Sequence, residues 1–193
     1  MLLLFLIFLV IYLIPTYSKP EIINNIITKE ESEYIINKTR DNMKNSKISQ
    51  NKDTNFDIRK SETAWLDLED PIVSKIVERC ISKVDRPKIN CEKMQVVRYK
   101  PGGFYKAHQD VIDHKNPRLY TFLIALNDGY EGGETNFVKL NKKYKLNACD
   151  TLFFNTLDNY ELDTSLALHG GEPVTNGEKW ICNLWVHKYP YNN

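Results

Sequence analysis

His108-Gln109-Asp110 closes a short alternating segment. Residues two apart on a strand leave by the same face, so this imidazole and this carboxylate can converge on one point. His169, near the end of another strand-like segment, supplies a second imidazole. Two histidines and one carboxylate are the facial set that holds non-haem Fe(II) with coordination positions left open. Lys179 follows the hairpin turn Asn176-Gly177, which folds its strand back beside His169. A cation fixed near such a metal suits a five-carbon keto diacid, whose keto-acid end chelates the metal while its far carboxylate meets the ammonium. Two plainer readings stand beside this one. His-x-Asp pairs arise by chance as hydrogen-bonded surface features, and two histidines, an aspartate and a water can hold hydrolytic zinc, which leaves Lys179 without a task.

The elements that must position these residues follow from periodicity. Segments 94–100, 104–108, 119–126, 134–138, 150–155, 166–169 and 180–187 read as strands, separated by the turn signals Pro101-Gly102-Gly103, Asn127-Asp128-Gly129, Gly132-Gly133 and Asn176-Gly177. On the last strand, alternation puts Lys179, Ile181, Asn183, Trp185 and His187 on one face, and Trp180, Cys182, Leu184 and Val186 on the other. A polar face carrying a large aromatic is the wall of a pocket; the other face is core. Upstream, Thr28 and Glu31 form a capping box that opens a helix to about residue 44, docked by Ile35 and Ile36. Residues 45–58 read as a mobile surface loop. A second helix starts at Asp70-Pro71 and carries a core stripe of Ile72, Val73, Ile76, Val77, Cys80, Ile81 and Val84. The expected class is α+β, mainly β: a double-sheet β-roll with the N-terminal helices packed on one sheet.

The chain has 193 residues, with 26 Lys+Arg against 25 Asp+Glu and a net charge of +1. That length supports one domain with a sizeable core, and the balanced charge gives no footprint for nucleic acid. Met1 to Ile14 is uninterrupted apolar sequence, broken by Pro15 and followed by Thr16-Tyr17-Ser18. Residues 1–18 therefore read as a signal peptide or an uncleaved single-pass signal anchor, which places the remainder in the endoplasmic reticulum lumen or the secretory pathway, with membrane contact through this segment alone. Cys80, Cys91, Cys149 and Cys182 allow three disulfide pairings or free buried thiols. Asn37-Lys38-Thr39 is a glycosylation sequon that matters only in that pathway, and His114 reads as an exposed loop residue.

From Arg59 onward the chain resembles the catalytic domain of prolyl 4-hydroxylases, among the Fe(II)- and 2-oxoglutarate-dependent dioxygenases. The similarity is carried by Arg59-Lys-Ser-Glu-Thr-Ala-Trp65, Met94 to Gly102, Phe104-Tyr-Lys-Ala-His-Gln-Asp110, Arg118 to Asn127, Glu131-Gly-Gly-Glu-Thr135 and His169 to Trp180. It implies a double-stranded β-helix, or jelly roll, over 59–193, with 19–58 as an N-terminal helix and loop of the same domain. It implies His108, Asp110 and His169 as iron ligands and Lys179 as the catalytic-site partner of 2-oxoglutarate, with Tyr99 and Thr135 assisting. Arg59, Ser61, Glu92, Arg118, Trp185 and His187 fall where related enzymes line the peptide groove. The implied reaction, of the procollagen-proline 4-dioxygenase type, hydroxylates peptidyl proline at C4 and releases succinate and CO2 from 2-oxoglutarate and O2, with L-ascorbate keeping the iron reduced. A proline-rich or collagen-like peptide is the implied partner, with Tyr105, Tyr120, Tyr130, Trp65 or Trp185 near the groove. Cys149 departs from the family's usual glycine before Asp150. A 2-oxoglutarate hydroxylase of lysine or a small molecule, and a silent peptide-binding module, are the competing readings.

Overall fold

The computed structural model describes residues 14–48 and 54–192. Most of the apolar run expected to be a signal segment, the centre of the 45–58 loop and Asn193 lie outside them. The described chain runs as β1 (Glu21–Ile23), α1 (Lys29–Thr39), β2 (Lys44–Asn45), β3 (Arg59–Lys60), β4 (Glu62–Leu66), α2 (Pro71–Ile81), β5 (Met94–Tyr99), β6 (Phe104–His108) and β7 (Arg118–Ala125). It continues as β8 (Glu131–Gly132), β9 (Thr135–Phe137), β10 (Lys142–Tyr144), β11 (Thr151–Asn155), β12 (His169–Gly171), β13 (Val174–Asn176) and β14 (Lys179–His187). A seven-stranded sheet in the order β1-β11-β7-β14-β5-β4-β2 faces a five-stranded sheet in the order β10-β9-β12-β6-β3, and β13 pairs with β8 beside them. Every pairing is antiparallel. This is the expected jelly roll with helices on one sheet.

Strand alternation divides the core in two. On β7 and β14, Phe122, Ile124, Trp180, Cys182, Leu184 and Val186 point to the helices, where they meet Ile35 of α1 and Val73, Ile76, Val77 and Cys80 of α2. Leu123, Ala125 and Ile181 point the other way, into a second cluster with Val97, Phe137 and Phe154. Each fully buried aliphatic side chain of the α2 stripe contributes about 1.5–3 kcal/mol, enough to fix the helices on the large sheet. All four cysteines are buried, and Cys80, Cys149 and Cys182 are free thiols, so the pairings the sequence allows among the four are not formed. Burial pushes Cys80 and Cys91 up to about 12, so neither forms a reactive thiolate near neutral pH.

Local chemistry moves several boundaries. α1 stops at Thr39, whose hydroxyl bonds to the Ile35 carbonyl (2.8 Å), and a 3-10 turn at Arg40–Asn42 leads into β2. The structure thus shortens the helix expected to reach residue 44 and makes Lys44–Asn45 a strand paired with β4. The expected strand at 166–169 is a 3-10 turn over Ser165–Ala167, with β12 starting only at His169. At the N-terminal end the fold reaches back past residue 18. The Thr16 N–H donates to Asn159 Oδ1 (2.6 Å), Asn159 N–H donates to the Thr16 carbonyl (3.0 Å), and the Tyr17 hydroxyl donates to the Asn155 carbonyl (2.8 Å).

Candidate active site

β12 lies between β9 and β6, and His169 is the register partner of His108. Gly170 makes that approach possible, because a Cβ there would meet the Tyr105 carbonyl at 2.8 Å and the Ala107 nitrogen at 3.0 Å. The two imidazole centroids stand 4.5 Å apart. Asp110, just beyond β6, brings its Oδ1 to 3.6 Å from His108 Nε2 and its Oδ2 to 3.8 Å from His169 Nε2. Among the described residues this is the one cluster of three ligating side chains, with ligand atoms all within 4.8 Å of one another.

The atoms around that cluster fit a divalent metal. His108 Nδ1 lies 2.9 Å from the Lys106 carbonyl and His169 Nδ1 lies 3.1 Å from the Ala167 carbonyl. An acceptor at Nδ1 fixes the proton there and leaves the Nε2 lone pair for a metal. Burial pushes His169 down to about 4, against the pull of Asp110, which keeps it neutral. Asp110 Oδ2 accepts from Thr121 Oγ1 (2.7 Å) and Trp185 Nε1 (3.0 Å), so Oδ1 is left to bind. Burial works to raise the Asp110 pKa, but His169, His108 and Arg118 outweigh it and hold the carboxyl well below the usual range. Two imidazole nitrogens and one carboxylate would leave a bound divalent cation with net positive charge, which favours an anionic co-ligand.

At the opposite end, Lys179 opens β14 as the register partner of Tyr99, and its ammonium donates to the Gly133 carbonyl (2.6 Å). Gly133 has φ +67, and a Cβ there would come within 3.2 Å of the lysine stem. Burial, aided by Lys145 and opposed by Glu134, lowers Lys179 to about 8. Tyr99, Thr135, Leu123 and Ile181 line the cavity between this cation and the metal cluster. Toward the mouth, Tyr105 stacks on His108 with centroids 3.7 Å apart, and half-exposed Trp65 lies 6.4 Å from Trp185. Gln95 and Asn183, joined by a 3.0 Å hydrogen bond, complete the wall.

Residues 94–187 match the 2OG-Fe(II) oxygenase superfamily. A protein of Acanthamoeba polyphaga mimivirus that carries a prolyl 4-hydroxylase name is 34% identical, over 91% of this chain and 77% of its own. The chain belongs to the prolyl 4-hydroxylase family. Prolyl 4-hydroxylase 2 of Arabidopsis thaliana is 29% identical over 88% of this chain and 68% of its own. The viral collagen prolyl hydroxylase of Paramecium Bursaria Chlorella virus-1, solved with 2OG, superposes with a TM-score of 0.75 at 30% identity, covering 89% of this chain and 97% of that one.

Within this prolyl 4-hydroxylase fold, the residues expected along a peptide groove divide. Arg59, Arg118 and Trp185 line the cavity. Ser61, Glu92 and His187 stand behind its wall instead: Ser61 accepts from Arg59 Nε (2.8 Å) and bonds to Ser46, while Glu92 pairs with Arg118 and His187. The aromatic side chains divide likewise. Trp65, Tyr105 and Trp185 reach the cavity. Tyr120 stacks on Phe153 and bonds to Asp85, and Tyr130 packs in the second core cluster. His114 is exposed, 3.8 Å from Asp163. Sequence reasoning missed Gln95 and Thr121. The alternation Gln95, Val97, Tyr99 along β5 would have placed Gln95 on the cavity face, whereas nothing in the sequence marks Thr121 as the partner of Asp110.

Proposed function

We propose that this Fe(II)- and 2-oxoglutarate-dependent dioxygenase hydroxylates peptidyl proline at C4, using O2 and releasing succinate and CO2, with L-ascorbate maintaining the ferrous iron. The observation that carries the reading is a single cavity with a metal-ligand cluster at one end and a buried lysine at the other. Bound iron supplies the oxidising chemistry; His108, Asp110 and His169 would hold it. Lys179 binds the far carboxylate of 2-oxoglutarate, and Tyr99 and Thr135 offer hydroxyl groups along the way. Low-dielectric walls of Leu123 and Ile181 strengthen that charge pairing and keep water out. At the mouth, Trp65, Trp185 and Tyr105 offer flat apolar faces to a proline-rich segment, which is extended beforehand as polyproline II and loses little entropy on binding. A collagen-like peptide is the substrate class we favour, and the name of the Chlorella virus relative points the same way.

The site of action we assign is the endoplasmic reticulum lumen or secretory pathway. No helix among the described residues is long and apolar enough to cross a membrane, so membrane attachment would fall to the N-terminal run. Cleavage after Ser18 would remove Thr16 and Tyr17 and their three hydrogen bonds to the domain, which favours the uncleaved anchor over the cleaved signal. An N-terminal sequence of the mature protein beginning at Lys19 would contradict that preference.

The test is incubation with Fe(II), 2-oxoglutarate, ascorbate and proline-rich peptides in air, followed by peptide mass spectrometry. A gain of one oxygen on proline, absent with His169→Ala, is expected. Succinate formed without peptide oxidation would move the substrate elsewhere.

A further inference from the structure

Behind the cavity wall, Glu92 is the centre of a buried network that touches the metal cluster only indirectly. Its carboxylate takes two hydrogen bonds from Arg118, one at 2.9 Å from Nη2 to Oε2 and a shorter one from Nε to Oε1. The same Oε1 lies 2.7 Å from His187 Nε2, and His187 Nδ1 lies 2.7 Å from the Asn116 carbonyl. Arg118 then reaches forward. Its Nη1 donates to the Asp110 main-chain carbonyl (3.2 Å), and its guanidinium lies 3.8 Å from the centroid of Trp185. The Trp185 indole N–H in turn holds Asp110 Oδ2. The Glu92 main-chain N–H is bonded to the Trp185 carbonyl (3.1 Å), which ties both ends of the network to one point on β14.

We infer that Glu92 and His187 are positioning residues for the metal ligand Asp110, acting through Arg118 and Trp185 so that Oδ1 alone is presented to the metal. The inference rests on the metal reading of His108, Asp110 and His169. Partners behind a ligand set its orientation, and their loss commonly weakens metal binding 10- to 100-fold. A packing role alone would lower stability and leave the metal affinity of the folded protein unchanged.

The experiment is titration of the metal-free protein with Co(II), read by its visible absorption bands, alongside thermal melts of the same metal-free samples. Glu92→Gln should raise the Co(II) dissociation constant about tenfold or more and shift the bands, because Asp110 is released to rotate. Trp185→Phe keeps an aromatic ring in place but removes the bond to Oδ2, and it should weaken Co(II) binding in the same direction. If Glu92→Gln fails to fold, His187→Phe, which removes the imidazole contact with Glu92 Oε1, decides. Co(II) affinity within twofold of wild type in the folded variants overturns the inference. A wild type that takes up no Co(II) overturns the metal reading itself, and the inference with it.

Discussion

At the metal end of the cavity, each ligand's other polar atom is already engaged: carbonyls take both Nδ1 positions, and Thr121 and Trp185 take Asp110 Oδ2. At the lysine end, the Lys179 ammonium makes one hydrogen bond among the described residues, to the Gly133 carbonyl, of the three it can donate, and burial holds its pKa down at about 8. The first arrangement fixes geometry before anything binds. The second leaves an under-solvated charge whose cost is relieved when a carboxylate arrives. The difference matches the task at each end, since a metal needs its donors in a set geometry, whereas a cosubstrate must enter and its product must leave.

Changes at the two ends should therefore fail differently. The largest effect belongs to His169→Ala, which should abolish both metal uptake and turnover, read by metal content and succinate release. Lys179→Ala should keep the metal but raise the KM for 2-oxoglutarate at least about 30-fold, the effect of removing one partner of a buried ion pair worth 2 kcal/mol or more; equal loss of metal would erase the distinction between the ends. The pH dependence sharpens it further. Lys179 is protonated below about 8, and the proposed pairing with the diacid needs that form, so 2-oxoglutarate affinity should be flat below pH 8 and fall as pH rises above it. A flat profile to pH 9.5, measured by calorimetry, would contradict the role of burial. Thr121→Val removes one of the two bonds to Asp110 Oδ2 and should weaken metal binding by about 1.5 kcal/mol, or roughly tenfold, with the KM for 2-oxoglutarate little changed. The smallest effect lies outside both ends. Cys149 stands at φ +74, the left-handed conformation that glycine adopts freely, so Cys149→Gly relieves strain of about 1–2 kcal/mol but gives up a buried side chain and frees the unfolded chain; the thermal midpoint should move by no more than about 1 kcal/mol of stability, with neither constant altered.

The cavity-facing residues of β14 are legible because they lie on a regular strand. Lys179, Ile181, Asn183 and Trp185 face the cavity, and Trp180, Cys182, Leu184 and Val186 face the helices, as a period of two requires. At the end of β14 the register shift falls on the neighbouring strand: Leu119 of β7 is passed over between Val186↔Tyr120 and His187↔Arg118. His187 lies beyond Trp185 and outside the cavity lining, bonded to Glu92, so alternation gives its face but not how far along the strand the cavity reaches. β4 carries no clear strand signal, since Glu62-Thr-Ala-Trp-Leu66 leaves Trp65 exposed at the cavity mouth and half-buries Glu62 against Arg98. β12 escaped because two of its three residues are glycines, whose value lies in the close approach to β6. Thr121 could not be singled out, because its pairing with Asp110 depends on the path of the chain between β6 and β7.

The most direct test of the whole account is turnover under 18O2 with a proline-rich peptide, followed by mass analysis of both products. One 18O atom in succinate and one in the hydroxyl at proline C4, both lost in Lys179→Ala at low 2-oxoglutarate and in His169→Ala at any concentration, is the predicted result. Neither product carrying label, from a protein shown to hold Fe(II) and 2-oxoglutarate, would contradict it.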